Sequence, residues 1–106
     1  MPTSHEINVT YDGKDTTLHN PSEMKVGDMV HYSSKHGPVI ITFLDNGSPF
    51  LDVNNNPIYV ITSAAPPLPL QQKGDFTARC FVTLPNGMTV GWGPNSPNGG
   101  GNSVVK

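Results

Sequence analysis

Phe76, Ala78, Cys80, Val82 and Leu84 stand two residues apart, so one extended segment carries all of them on a single face. A side-chain period of two belongs to a β-strand, whereas a helix needs apolar residues three or four apart. Shorter runs elsewhere repeat the pattern, and helical periodicity is nearly absent. Ile7, Val9 and Tyr11 share a face before Asp12-Gly13 ends the first strand. Residues 24–32 read as strand, tight turn, strand. Val39-Ile40-Ile41-Thr42-Phe43 is apolar enough on both faces to predict a central strand, with Asn46-Gly47-Ser48-Pro49 turning the chain after it. Residues 58–61 predict another strand, and Pro85-Asn86-Gly87 a hairpin turn from 76–84 into 88–92.

The 11 glycines and 11 prolines punctuate these runs. Ala65-Pro66-Pro67-Leu68-Pro69-Leu70 lacks the amide donors of a sheet interior and predicts an extended, polyproline-like crossover. Residues 93–102 are rich in Gly, Pro and Asn and predict a mobile loop, followed by a short closing strand at 103–105. Six to eight short strands need two sheets, because each sheet must bury one face. The expected architecture is all-β: a Greek-key β-sandwich forming one domain over residues 1–106.

Charge narrows the function classes. Six basic residues and a net charge of −2 cannot build the patch that binds phosphates, which argues against nucleic acid and anionic membranes as partners. No apolar run approaches the ~18 residues of a membrane span. The first residues lack the basic and apolar regions of a signal peptide, so a cytoplasmic protein or a mature exported domain is expected. The single Cys80 excludes an internal disulfide.

Three segments together resemble the cupredoxin-like family over about residues 24–92. Lys25-Val26-Gly27-Asp28-Met29-Val30-His31-Tyr32 resembles its V-x-x-G-D-x-V-x-W strand pair. Gly37-Pro38-Val39-Ile40-Ile41-Thr42-Phe43 is similar to its x-P-H-x-V-x-F strand, and Gly74-Asp75-Phe76-Thr77-Ala78-Arg79-Cys80 to its G-x-Y-x-F-x-C strand. The resemblance implies the sandwich fold and, in copper-binding members, a site of two imidazoles, a thiolate and a weak axial thioether. Cys80 matches the thiolate and Met88 the axial spacing. The imidazole positions, however, hold Val39 and Thr83. A copper-free binding or structural module without a catalytic role is therefore expected, its partner an unspecified protein or small ligand. The loops at 33–38, 44–57 and 93–102 would present the binding surface from one end. The alternative is a metal-binding or electron-transfer protein using Cys80 and Met88 with a displaced His36.

The remaining polar groups have plainer readings. Cys80 lies on the apolar face of its strand and reads as a buried thiol, with Arg79 on the opposite face. Asp52-Val53-Asn54-Asn55-Asn56 has the spacing that opens a calcium loop, but Pro57 and Ser63 occupy the positions needing Gly and Glu, so an Asn-rich turn is expected. His5, His19, His31 and His36 match no local ligand spacing; His31 and His36 alone could form a two-ligand site. Serines near them lack a nucleophile-elbow motif, and Gly99-Gly100-Gly101 lacks the Lys of a phosphate loop. Tyr32 and Trp92 are expected in the core. Asn8-Val9-Thr10 matches a glycosylation acceptor inside a predicted strand, with no secretory context.

Overall fold

A computed structural model describes residues 3–21, 23–43, 47–91 and 101–106. These residues form nine strands and no helix, so no helix is long and apolar enough to cross a membrane. The strands are β1 (Ser4–Tyr11), β2 (Thr16–His19), β3 (Met29–Ser33), β4 (Val39–Phe43), β5 (Val60–Thr62), β6 (Leu68–Pro69), β7 (Gly74–Thr83), β8 (Thr89–Gly91) and β9 (Gly101–Val105). One sheet has the order β2-β1-β3-β6. The other has the order β5-β4-β7-β8, with β9 also pairing β7. All pairs are antiparallel except β1 with β3, whose parallel register sets Glu6 beside His31.

The two sheets pack through their apolar faces because alternation leaves each strand one dry side. Ile7 and Val9 of β1, Val30 and Tyr32 of β3, and Leu18 of β2 face Val39, Ile41 and Phe43 of β4 and the row Phe76, Ala78, Cys80, Val82 of β7. Burying each of the larger side chains contributes about 1.5–3 kcal/mol. Phe50, from the connection after β4, fills the core beside Phe43 (ring centroids 5.7 Å) and meets Tyr32 edge-on (6.4 Å).

Polar bonds tie the sheets together around this interface. Thr16 of β2 is fully buried, and its Oγ1 donates to the Cys80 carbonyl of β7 at 2.9 Å. That carbonyl lies along the edge of β7 where β8 ends and β9 has not begun. A Cβ on Gly91, the last residue of β8, would sit 2.5 Å from the same oxygen. At the chain terminus Met24 bridges Val105 in parallel, and the Lys106 amide donates to the Met24 carbonyl at 2.8 Å.

Several sequence expectations need correction. Leu68 and Pro69 do join a sheet, at the outer edge beside β3, where a missing amide donor faces no neighbouring strand. Met24 makes only an isolated bridge, so no strand precedes the turn at 25–28. β5 begins at Val60, not at residue 58, and β7 runs from Gly74 to Thr83. β9 starts at Gly101, inside the predicted 93–102 loop; the remainder of that loop, and Trp92, lie outside the described residues. β2 was not anticipated. Loops 33–38 and 44–57 precede and follow β4 and so leave it at opposite ends, not one. Tyr32 is in the core as expected, and β4 is flanked on both sides, as expected of a central strand.

Gly37 shows how closely the 33–38 loop approaches β7. Its φ is +146°, and a Cβ there would lie 1.9 Å from the Thr83 carbonyl oxygen. Gly13, at φ +99°, has open space around the same position. Gly37→Ala should therefore cost on the order of 2 kcal/mol more than Gly13→Ala, since it adds a steric clash to the shared backbone penalty. Urea unfolding of the two variants measures this; equal costs would contradict the close approach.

Candidate functional site

The chemistry-bearing residues do not converge. Each of the four imidazoles has its own partner on another segment. His5 Nε2 lies 2.9 Å from Asp28 Oδ2, and His19 Nε2 lies 2.8 Å from the Thr10 hydroxyl. The His36 ring meets Tyr11 edge-on, with centroids 6.1 Å apart. His31 Nδ1 stands 2.8 Å from both oxygens of Glu6, and its Nε2 stands 3.0 Å from the Ser63 carbonyl. His5 and Tyr11 mark opposite ends of β1, roughly 20 Å apart at the rise of a strand. His31 and His36 therefore serve different faces: alternation puts Glu6 outside the sheet and Tyr11 on the side of Ile7 and Val9. Among the described residues no group of three or more His, Cys, Asp or Glu is placed to hold a metal ion.

The thiol and thioether are just as separate in environment. Cys80 has no exposed surface, and burial pushes its thiol above the usual range, with Thr16 opposing the shift. Met88 follows the β7–β8 turn and is 59% exposed. Val39 is buried beside Val82, and Thr83 pairs with Thr89 across the hairpin, their hydroxyls 3.3 Å apart. A trigonal copper site needs a thiolate and two imidazoles on one metal. This donor set does not fit that group: an aliphatic side chain and a hydroxyl occupy two positions, and hydrocarbon encloses the third.

Asp28 is the best-built polar centre. Gly27-Asp28 follows a turn closed by the Asp28 amide donating to the Lys25 carbonyl at 3.0 Å. The carboxylate turns inward and accepts from the amides of Thr3 (3.1 Å) and Lys25 (3.1 Å) and from the His5 ring (2.9 Å). Its own carbonyl accepts from Leu70 at 2.8 Å. The side chain thus joins the start of β1 to the 25–28 turn, and the backbone carbonyl of the same residue ties in Leu70 after β6. The His5 bond, then the two amides, hold the carboxyl down at about 2. Its role is structural, since every carboxylate oxygen is already engaged by the fold.

Two loops show similar self-capping. Asp52 Oδ1 accepts from the amides of Asn54 (2.8 Å) and Asn56 (3.0 Å), while Leu51 and Pro57 bridge at the base. The D-x-N-x-N spacing therefore encodes a turn whose carboxylate serves its own backbone. Asp12 Oδ1 does the same for Lys14 and Asp15, which lowers its carboxyl below the ordinary range. Glu6, Thr16 and Phe50 were not singled out in the sequence. The Asp-Gly turn with Thr16 and Leu18 alternating after it was a usable hairpin signal for β2; nothing local marked Glu6 or Phe50.

Comparison of the chain with family models, with curated proteins and with solved structures finds no match.

Because the folded Asp28 carboxyl is depressed, its contribution to stability is fully present above about pH 3.8 and is lost as the pH falls through about 2. Thermal unfolding midpoints of the wild type should decline across that window, and Asp28→Asn should start lower and show a flatter profile. Parallel profiles would place the acid sensitivity elsewhere.

Proposed function

We propose that this chain is a cupredoxin-like, Greek-key β-sandwich without a copper centre, acting as a binding or structural module and not as a catalyst. The observation that carries the reading is the complete enclosure of Cys80 in the hydrocarbon between the sheets, beside Ile41 across the β4–β7 pair. A thiol kept neutral by burial is a poor metal ligand and a poor nucleophile. The family motifs support the architecture: their residues fall in the turn before β3, in β4 and in β7, and β4 and β7 are paired neighbours. Strands that leave one sheet for the other at β3–β4, β5–β6 and β6–β7 agree with Greek-key connections.

Among the described residues, the carboxylate–imidazole–hydroxyl cluster of Glu6, His31 and Ser33 argues against hydrolysis. In a triad the hydroxyl faces the imidazole that will take its proton. Here the Ser33 hydroxyl donates to Glu6 at 3.0 Å, and the far nitrogen of His31 faces a backbone carbonyl. The Ser33 hydroxyl is therefore not activated as a nucleophile. A binding role is favoured by the 51–57 hairpin, whose capped turn holds Val53 98% exposed with amide side chains around it. A preorganised apolar tip loses little freedom on docking into a protein pocket. The partner class is thus a protein or small ligand.

Added Cu(II) should give no intense visible charge-transfer band, and Cys80→Ser should be indistinguishable from the wild type. A strong band abolished by Cys80→Ser would overturn the copper-free reading in favour of a site built on Cys80, Met88 and His36.

A further inference from the structure

The packed sheets meet along two seams, one beside β2 and one beside β3 and β6, and a polar bond crosses each. On one seam Thr16 of β2 reaches the Cys80 carbonyl of β7, a bond with no titrating proton near neutral pH. On the other, His31 of β3 reaches the carbonyl of Ser63, the residue that follows β5. Ser63 is itself fastened to β4, because its amide donates to the Val39 carbonyl and its hydroxyl accepts from the Val39 amide, both at 3.0 Å. Its carbonyl is the group left to face the other sheet.

The His31 ring stands between two acceptors. A carboxylate lies 2.8 Å from Nδ1 and a carbonyl 3.0 Å from Nε2, and neither can donate. Both bonds form only when both ring nitrogens carry protons. The neutral ring keeps one proton. The charge-assisted bond to Glu6 is the stronger, so the proton stays on Nδ1 and the Ser63 bond is the one released.

We infer that His31 is a proton-operated clasp: protonated, it fastens the β5–β6 crossover at Ser63 to the β1–β3 sheet, and deprotonated, it lets go. Among the described residues, the groups that bond the ring come from β1 and the crossover. β1 contributes Glu6, which also accepts from the Ser33 hydroxyl of β3. β6 pairs with Met29 and Val30, just before His31 in β3, and brings Leu68 and Pro69, which do not titrate, and the crossover contributes a carbonyl. Glu6, followed by that carbonyl, raises the imidazole above its ordinary 6.5, with partial burial opposing. The clasp is therefore fully closed below about pH 6.5 and opens as the pH rises through the higher folded value. Above it, the crossover beyond Ser63, residues 64–67 with Pro66 and Pro67 at its far end, loses its tether to the β1–β3 sheet, while Ser63 stays bonded to Val39 and both sheets persist. This device is independent of whether the sandwich binds copper.

The test uses the full chain and two readouts. Ring resonances of His31 are followed from pH 5 to 9 by NMR in the wild type and in Glu6→Gln. Amide exchange at Ala65, whose N–H donates to the Thr62 carbonyl across the turn that carries the Ser63 carbonyl, is corrected for its intrinsic pH dependence and followed in the same proteins and in His31→Gln. The wild-type ring should titrate above 6.5, and Glu6→Gln should lower its midpoint. Protection of the Ala65 amide should fall across the wild-type midpoint, on the order of tenfold for every pH unit by which the ring's measured midpoint exceeds 6.5. In His31→Gln it should be independent of pH. A ring titrating at or below 6.5, or protection unchanged across its midpoint, would overturn the clasp; Glu6→Gln keeps the test open if His31→Gln does not fold.

Discussion

The dry layer between the sheets is the constraint from which the rest follows. β7 contributes Phe76, Ala78, Cys80 and Val82 to it, and β1 and β3 contribute Ile7, Val9, Val30 and Tyr32 from the opposite side. Such a layer admits no unpaired polar group, because an unsatisfied hydroxyl or carbonyl costs about 1–3 kcal/mol there. The polar groups that enter it are accordingly paired across it. Thr16 meets the Cys80 carbonyl, and the buried Tyr32 hydroxyl meets Ser103 of β9. Burial dominates at Tyr32 and drives its phenol well above the ordinary range. The same dryness pushes the Cys80 thiol up, so one physical condition both holds the sheets together and keeps that sulfur protonated.

Polar residues at the margins then set which segments close over that layer. Asp28 gathers the first residues of the described chain, the 25–28 turn and Leu70 at one end. His31 reaches the residue after β5 on one seam, and Thr16 reaches β7 on the other. These bonds tie segments far apart in sequence only in the folded state, and this chain, with its single cysteine, has no internal disulfide to constrain the unfolded one.

The strands most easily read in the sequence are those with a long alternating row. β7 announces itself through five spaced positions, and β4 through a run of apolar residues that fits its place between β5 and β7. β6 was hidden because Pro69 and the prolines just before the strand argue against a sheet interior, an argument that does not reach an edge. β2 is four residues long and mostly threonine and histidine, so its two inward residues made a weak signal. β9 begins on glycine and asparagine, which usually mark loops. Phe50 sits in a Gly/Ser/Pro-rich connection and reaches the core only because that connection folds back. The side-chain pairs were less legible still. Glu6 and His31 are 25 residues apart, and Thr16 and Cys80 are 64 apart. A parallel register and an edge-to-edge approach bring them together, and neither leaves a mark in local spacing. The expectation of a buried thiol could be made because it needed only the face of one strand.

The account stands on the sulfur of Cys80 being sealed in that layer, and its reactivity measures this directly. Labelling with an aromatic disulfide reagent at neutral pH should proceed only as fast as the protein unfolds, and its rate should rise with added urea in step with global opening. Rapid, urea-independent labelling of the folded protein would contradict the sealed interface and with it the whole reading of the site.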